Sequence, residues 1–216
     1  MLNANRFLKA KNIYIGEFIR VLNLMIDCYF KIKKNEVIEP CQLETFLRNV
    51  LVKKYLRVYK KDFEIGYLSF DIESGEIDIN CRTIGFIDIK ISNIGYKSLL
   101  DEDEYYAFEC KRLDGNSSLN GEYVNEGICR FIDGKYSSKM SLSGMIGFVQ
   151  KGDIHNIVKD INKKITSNTN INSIALLEKY PVSEDFDCSY YSCHNRSSLK
   201  RPIDIYHLMF DYTFVS

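Results

Sequence analysis

The stretch Gly85-Phe86-Ile87-Asp88-Ile89-Lys90-Ile91, followed after a polar gap by Tyr105-Tyr106-Ala107-Phe108-Glu109-Cys110-Lys111-Arg112-Leu113, decides how this chain is read. The first segment alternates. Ile87, Ile89 and Ile91 fall on one side of an extended strand, with Asp88 and Lys90 on the other. In the second segment Glu109 and Lys111 are two residues apart and share a face, with Phe108 and Cys110 opposite. The polar stretch between them, through Asp101-Glu102-Asp103, has the length of a hairpin loop. A hairpin symmetric about that loop sets Asp88 opposite Glu109. Two carboxylates and an ammonium then gather on one face of otherwise apolar strands.

Outward from this pair, residues 5–33 carry a helical stripe that includes Phe7, Ile15, Phe18, Leu22, Met25 and Tyr29. Pro40 interrupts the chain, and a second helix is expected over 41–58, with Lys53, Lys54, Arg57, Lys60 and Lys61 on its solvated side. Phe63–Phe70 reads as a strand, Glu73-Ser74-Gly75 as a turn and Glu76–Cys81 as a further short strand. Further on, a helix is expected over 121–133, a buried strand over 145–150 and an amphipathic helix over 153–165. Residues 174–180 suit either strand or helix, and Ile203-Asp204-Ile205-Tyr206-His207-Leu208-Met209-Phe210 opens a last strand. This order predicts an α/β fold layered around a mixed sheet. Residues 1–40 would form an N-terminal helical extension to a main domain over 41–216.

Composition narrows the function classes. Residues are 45% hydrophobic, enough for a core, and the 29 basic and 29 acidic side chains exclude a purely electrostatic nucleic-acid binder. No apolar run reaches membrane-span length and no signal-peptide pattern opens the chain, so a soluble, cytoplasmic protein with no membrane partner is expected. The seven cysteines are scattered without a C-x-x-C pair and read as reduced, mostly buried small hydrophobes. Cys188, Cys193, His194 and His207 lack zinc-knuckle spacing. Gly134-Lys135-Tyr136-Ser137-Ser138 lacks P-loop spacing, and no G-x-S-x-G elbow is present.

The carboxylate pair has a specific chemical use. Mg²⁺ takes oxygen ligands, keeps several waters and can be held by two carboxylates. It activates a bound water and neutralises charge on a phosphate under attack. Asp88 and Glu109 are therefore the candidate metal ligands, with Mn²⁺ expected to substitute, and Lys111 would orient or deprotonate the water. Glu44, on the second helix, is the candidate further acid. An E-x-K triplet alone arises by chance about once in a chain of this length. Its weight comes from the Asp-bearing strand before it. Asp78 with Asp88 and Lys90 offers a competing registration of the same pattern.

These segments resemble the PD-(D/E)XK nuclease superfamily of restriction-endonuclease-like folds, over about Glu44 to Val149. The later Tyr123–Ser137 and Gly144–Val149 segments are similar to the helix and strand that follow the active-site strands in some members. Ile87, not Pro, precedes Asp88. The resemblance implies a three-layer α/β/α domain with a central mixed sheet, Mg²⁺ dependence and phosphodiester hydrolysis, with DNA favoured over RNA. A bacterial role in restriction or anti-phage defence, as a homodimer or with partner proteins, would follow. The rival expectation is a catalytically silent binding or assembly subunit of a multi-protein defence system.

Substrate-binding candidates complete the reading. Tyr123, Glu126 and Arg130 share one face of a regular helix, where Arg130 could reach a phosphate. His194 and Arg196, in the basic segment Ser192–Pro202, are expected on a loop able to hold a nucleic-acid backbone.

Overall fold

The computed structural model describes residues 4–39, 41–77, 80–94, 104–136, 140–196, 199 and 201–213. Seven strands form one sheet: β1 (Leu68–Ile77), β2 (Thr83–Asn93), β3 (Tyr105–Leu113), β4 (Leu142–Val149), β5 (Asn172–Lys179), β6 (Ser189–Asn195) and β7 (Ile203–Asp211). Their spatial order is β1-β2-β3-β4-β7-β6-β5. The pairs β3–β4 and β4–β7 are parallel and the other four antiparallel, so the chain is a mixed α/β protein. At the centre, β4 is buried at all eight positions, as a strand covered on both faces must be.

Alternation along the central strands separates two cores. Phe108 and Cys110 of β3, Ile146 and Phe148 of β4, and Leu208 and Phe210 of β7 belong to the first. Ala107, Met145, Val149, Ile205 and Met209 belong to the second. Helix α1 (Ala4–Asn35) covers the first face with Phe18, Leu22, Met25, Tyr29 and Ile32. The ring of Tyr29 stacks on Phe210 with centroids 4.7 Å apart. The helix expected as an N-terminal extension thus contributes a large part of this core. Helix α2 joins it, running as α-helix over Glu44–Asn49, π-helix over Val50–Leu56 and a last α-helical turn, Arg57–Tyr59.

The second face is covered by α3 and α4. Helix α3 is α-helical over Ser117–Tyr123, π-helical over Val124–Ile128 and α-helical again over Cys129–Ile132. Helix α4 (Ile154–Ser167) is capped by the Asp153 side chain, which accepts from the Asn156 N–H. Its Ile157, Ile161 and Ile165 recur at four-residue spacing and are buried.

Four local expectations are corrected. The first strand begins at Leu68, after a hydrogen-bonded turn at 60–65, and not at Phe63. Glu73-Ser74-Gly75 is not a chain reversal: it lies within β1, and Ser74, Gly75 and Glu76 pair with Ile87, Phe86 and Gly85. Glu76 and Ile77 are therefore the end of β1 and not the start of another strand. Turn-forming residues are tolerated there because β1 is an edge strand, where twist and irregularity cost little. Finally, Ser192–Asn195 lies in β6, paired on both sides, and not in a loop. The segment 174–180 resolves as strand β5.

Candidate active site

The β2–β3 ladder runs from Ser92↔Tyr105 to Ile89↔Phe108 and stops. That is the register in which the next pair would be Asp88 and Glu109. Beyond it β2 pairs only with β1, and β3 only with β4. The sheet therefore splits at this point, with Asp88 on one lip and Glu109 and Lys111 on the other. Asp88 bridges the split, its Oδ2 accepting from the Cys110 N–H at 2.9 Å. The side chain thus satisfies a backbone donor that a continuing ladder would have used.

A kink sits at the same level. β1 and β2 pair at Ile72↔Ile89 and Ser74↔Ile87, but Glu73 and Asp88 between them do not pair, and Glu73 has a positive φ of 51°. Ile89 and Ile91 lie in the first core and Ile87 in the second, correcting the expectation that all three share one face. The strand thus changes face at Asp88.

Around the split, three cations and five carboxyl groups interlock. Arg48 of α2 donates from Nη1 to Asp88 at 2.6 Å and from Nη2 to Glu73 at 2.7 Å. Arg130 of α3 donates from Nη1 to Glu109 at 2.9 Å and from Nη2 to Glu126 at 3.0 Å. Lys111 Nζ lies 3.7 Å from Glu44 and 3.9 Å from Glu109. Glu44 also accepts from the Arg112 N–H at 2.8 Å. With every group ionised, this network carries two negative charges in excess.

The imbalance is sharpest at Glu109. Its side chain is fully buried, and its Oε1 has no hydrogen-bond partner. Burial, and then the nearby Asp88 charge, push its carboxyl up to about 8, outweighing Lys111 and Arg130. Burial also raises Glu44, partly opposed by Lys111. A buried carboxylate with an orphaned oxygen is costly unless it takes up a proton or a cation.

Nothing matches this chain: no family model, no curated protein and no solved structure. The functional reading rests on the geometry. Asp88 and Glu109 offer only hard oxygen donors, and the buried Oε1 of Glu109 has no hydrogen-bond partner, a donor set of the kind that suits Mg²⁺ or Mn²⁺. Among the described residues no three His, Cys, Asp or Glu side chains come close enough together to hold a metal ion. Asp88 and Glu109 are the two side chains at the split that could hold such an ion.

The structure brings Asp88, Glu109, Lys111, Glu44, Glu126 and Arg130 together. It takes Tyr123 elsewhere. That ring is fully buried, and its hydroxyl meets His207 Nδ1 at 2.9 Å. The π-helical stretch that starts at Val124 widens the turn, so Tyr123 and Glu126 no longer share a face. His194 is also buried, between Ser173 and Ser192 hydroxyls at 2.8 and 2.9 Å. It sits on β6, three strand positions from β3, or ~14 Å at ordinary strand spacing. Arg196 is buried as well, donating to the Met140 carbonyl. Asp78, the competing acid, lies outside the described residues. Arg48 was not among the residues expected at the site. No local signal marked it, because its partners Glu73 and Asp88 are 25 and 40 residues away in sequence.

Proposed function

We propose that this chain hydrolyses phosphodiester bonds in nucleic acid, DNA by preference, at the split between β2 and β3. The observation that carries this reading is the fully buried Glu109, with one unpartnered oxygen, beside Asp88 and within 3.9 Å of Lys111. The resemblance to the PD-(D/E)XK superfamily and its restriction-endonuclease-like fold belongs to this proposal. So does a role in cytoplasmic defence against foreign DNA, alone, as a homodimer or beside partner proteins. A bound Mg²⁺ would activate water and offset charge on the phosphate.

The chain's own residues divide the remaining work. Asp88 and Glu109 would hold the ion, and Asp88 also ties the two lips together through the Cys110 N–H. Lys111, only 13% exposed, keeps its ammonium where a water attacking the phosphate would be oriented. Glu44 holds that ammonium from the α2 side. Little solvent reaches Glu109, so charge interactions with the developing phosphorane are weakly screened.

Incubation with linear, circular and single-stranded DNA, and with RNA, in Mg²⁺ or EDTA tests the reading. Mg²⁺-dependent cutting lost in Lys111→Ala is expected. Cutting that survives this substitution would overturn the site assignment. The silent-subunit alternative is favoured by one observation: guanidinium groups already bond both Asp88 and Glu109. Under that reading no substrate is cut in any metal.

A further inference from the structure

The two arginines repeat one arrangement from opposite faces of the sheet. Arg48 comes from α2 and Arg130 from α3. Each places Nη1 on an ion-binding candidate, Asp88 or Glu109, and Nη2 on a second carboxylate, Glu73 or Glu126. In both cases the Nη1 partner is sheltered, at 15% and 0% exposure, and the Nη2 partner is open to solvent at 60%. Each guanidinium therefore has an outer anchor independent of the inner carboxylate. Arg48 is itself only 4% exposed, and its Nε has no partner, so it carries unused donor capacity inside the site.

A divalent cation and a guanidinium compete for the same carboxylate charge. Once the ion occupies Asp88 and Glu109, each Nη1 loses much of its attraction to them, while Nη2 remains anchored. A phosphate bound beside such an ion would offer each Nη1 a new acceptor. A guanidinium suits that exchange because its planar fork can bond a carboxylate on one arm and a phosphate oxygen on the other.

We propose that Arg48 and Arg130 are paired phosphate clamps, parked on Asp88 and Glu109 in the ion-free protein and handed to the phosphodiester when the ion enters. The proposal rests on the nuclease reading of this site. It adds that the ion and the substrate bind cooperatively, because ion entry releases the donors that grip the phosphate.

The test titrates the full chain with Mn²⁺ alone, following the free-ion electron spin resonance signal. It then measures binding of a short DNA duplex in Ca²⁺. Arg48→Gln and Arg130→Gln are expected to bind Mn²⁺ about tenfold more tightly and the duplex about tenfold more weakly, the worth of one charge-assisted hydrogen bond. Arg48→Lys keeps the charge but cannot span anchor and phosphate, and is expected to stay weak for the duplex. Glu73→Gln and Glu126→Gln alter solvent-exposed side chains and should fold where the arginine variants do not. They are expected to bind Mn²⁺ about threefold more weakly, because the inner bond of each arginine strengthens when its anchor is lost.

Arginine or glutamine variants with wild-type Mn²⁺ affinity, in a protein that still cuts DNA, would overturn the clamp and leave the nuclease reading standing. Wild-type duplex affinity in Arg48→Lys would reduce Arg48 to a general positive charge and overturn the clamp. Absence of Mn²⁺ binding in the wild type and in both arginine variants would overturn the ion site, and the clamp with it.

Discussion

Two polar groups of this protein are built on opposite terms, one drawn from both faces of the sheet and one confined to the second. One is the charged network at the β2–β3 split. The other is a chain of neutral groups across β5, β6 and β7: Ser173, His194, Ser192, His207 and Tyr123, each 2.8–2.9 Å from the next. Both ring nitrogens of both histidines have partners there. If Tyr123 donates to His207, His207 to Ser192, Ser192 to His194 and His194 to Ser173, every link is satisfied with both rings neutral. Burial pushes His194 down to about 4 and holds His207 well below its ordinary value. At the split, by contrast, Glu109 keeps an orphaned oxygen and negative charge is in excess. A closed neutral chain stabilises a fold and offers a ligand nothing. An open, unbalanced one is where a cation and an anionic substrate would be taken up.

Substitutions in the two regions should therefore separate activity from stability. The largest expected effect is on cleavage. Lys111→Ala and Glu109→Gln should lower the Mg²⁺-dependent rate by about a thousandfold, while His194→Gln leaves it within about twofold. A cleavage assay under single-turnover conditions reads both. Loss of cutting in a stably folded His194→Gln variant would break the comparison.

The next effect is on stability and has the reverse distribution. His207→Leu strands the Tyr123 and Ser192 hydroxyls in the interior and should cost about 2–4 kcal/mol in urea unfolding. Glu126→Ala, at the solvent-facing rim of the charged network, should change it by less than about 0.5 kcal/mol.

The two regions should also respond to pH in opposite senses. The folded-state value of Glu109, about 8, lies above its ordinary 4.5, so the folded protein binds this proton more tightly than the unfolded chain. Its contribution is complete below about 4.5 and is lost as pH rises through about 8. For His194 the folded value is depressed from 6.5 to about 4. Its contribution is complete above 6.5 and is lost as pH falls towards about 4. Unfolding free energies from urea titrations across this range should flatten on the alkaline side in Glu109→Gln and on the acid side in His194→Gln, each by on the order of 2 kcal/mol. A shared direction in the two variants would contradict the contrast.

Much of the charged region was legible in the amino-acid order. Alternation in the Ile87–Ile91 and Tyr105–Leu113 segments defines two strands, and symmetry about the intervening loop sets the register that Ile89↔Phe108 displays. What could not be read was the end of that ladder. The split depends on Glu73 taking a positive φ, on Asp88 capping the Cys110 N–H, and on Arg48 arriving from a helix distant in sequence. None of these leaves a local periodic signal.

The neutral region was misread for the converse reason. Ser192, His194 and Arg196 look like a polar loop because composition cannot show that polar side chains satisfy one another inside a sheet. Likewise, the i, i+3, i+7 spacing of Tyr123, Glu126 and Arg130 assumes a regular α-helix. The π-helical turn breaks that assumption, sending Tyr123 into the neutral chain and Arg130 to Glu109.

The most direct measurement is a crystal of the full chain soaked in Mn²⁺ at pH 8 and examined by anomalous scattering. The account predicts one peak bonded to both the Asp88 and Glu109 carboxylates, with Nη1 of Arg48 and of Arg130 withdrawn from them. A soaked crystal with no peak there, and with both guanidinium groups still on their carboxylates, would contradict it.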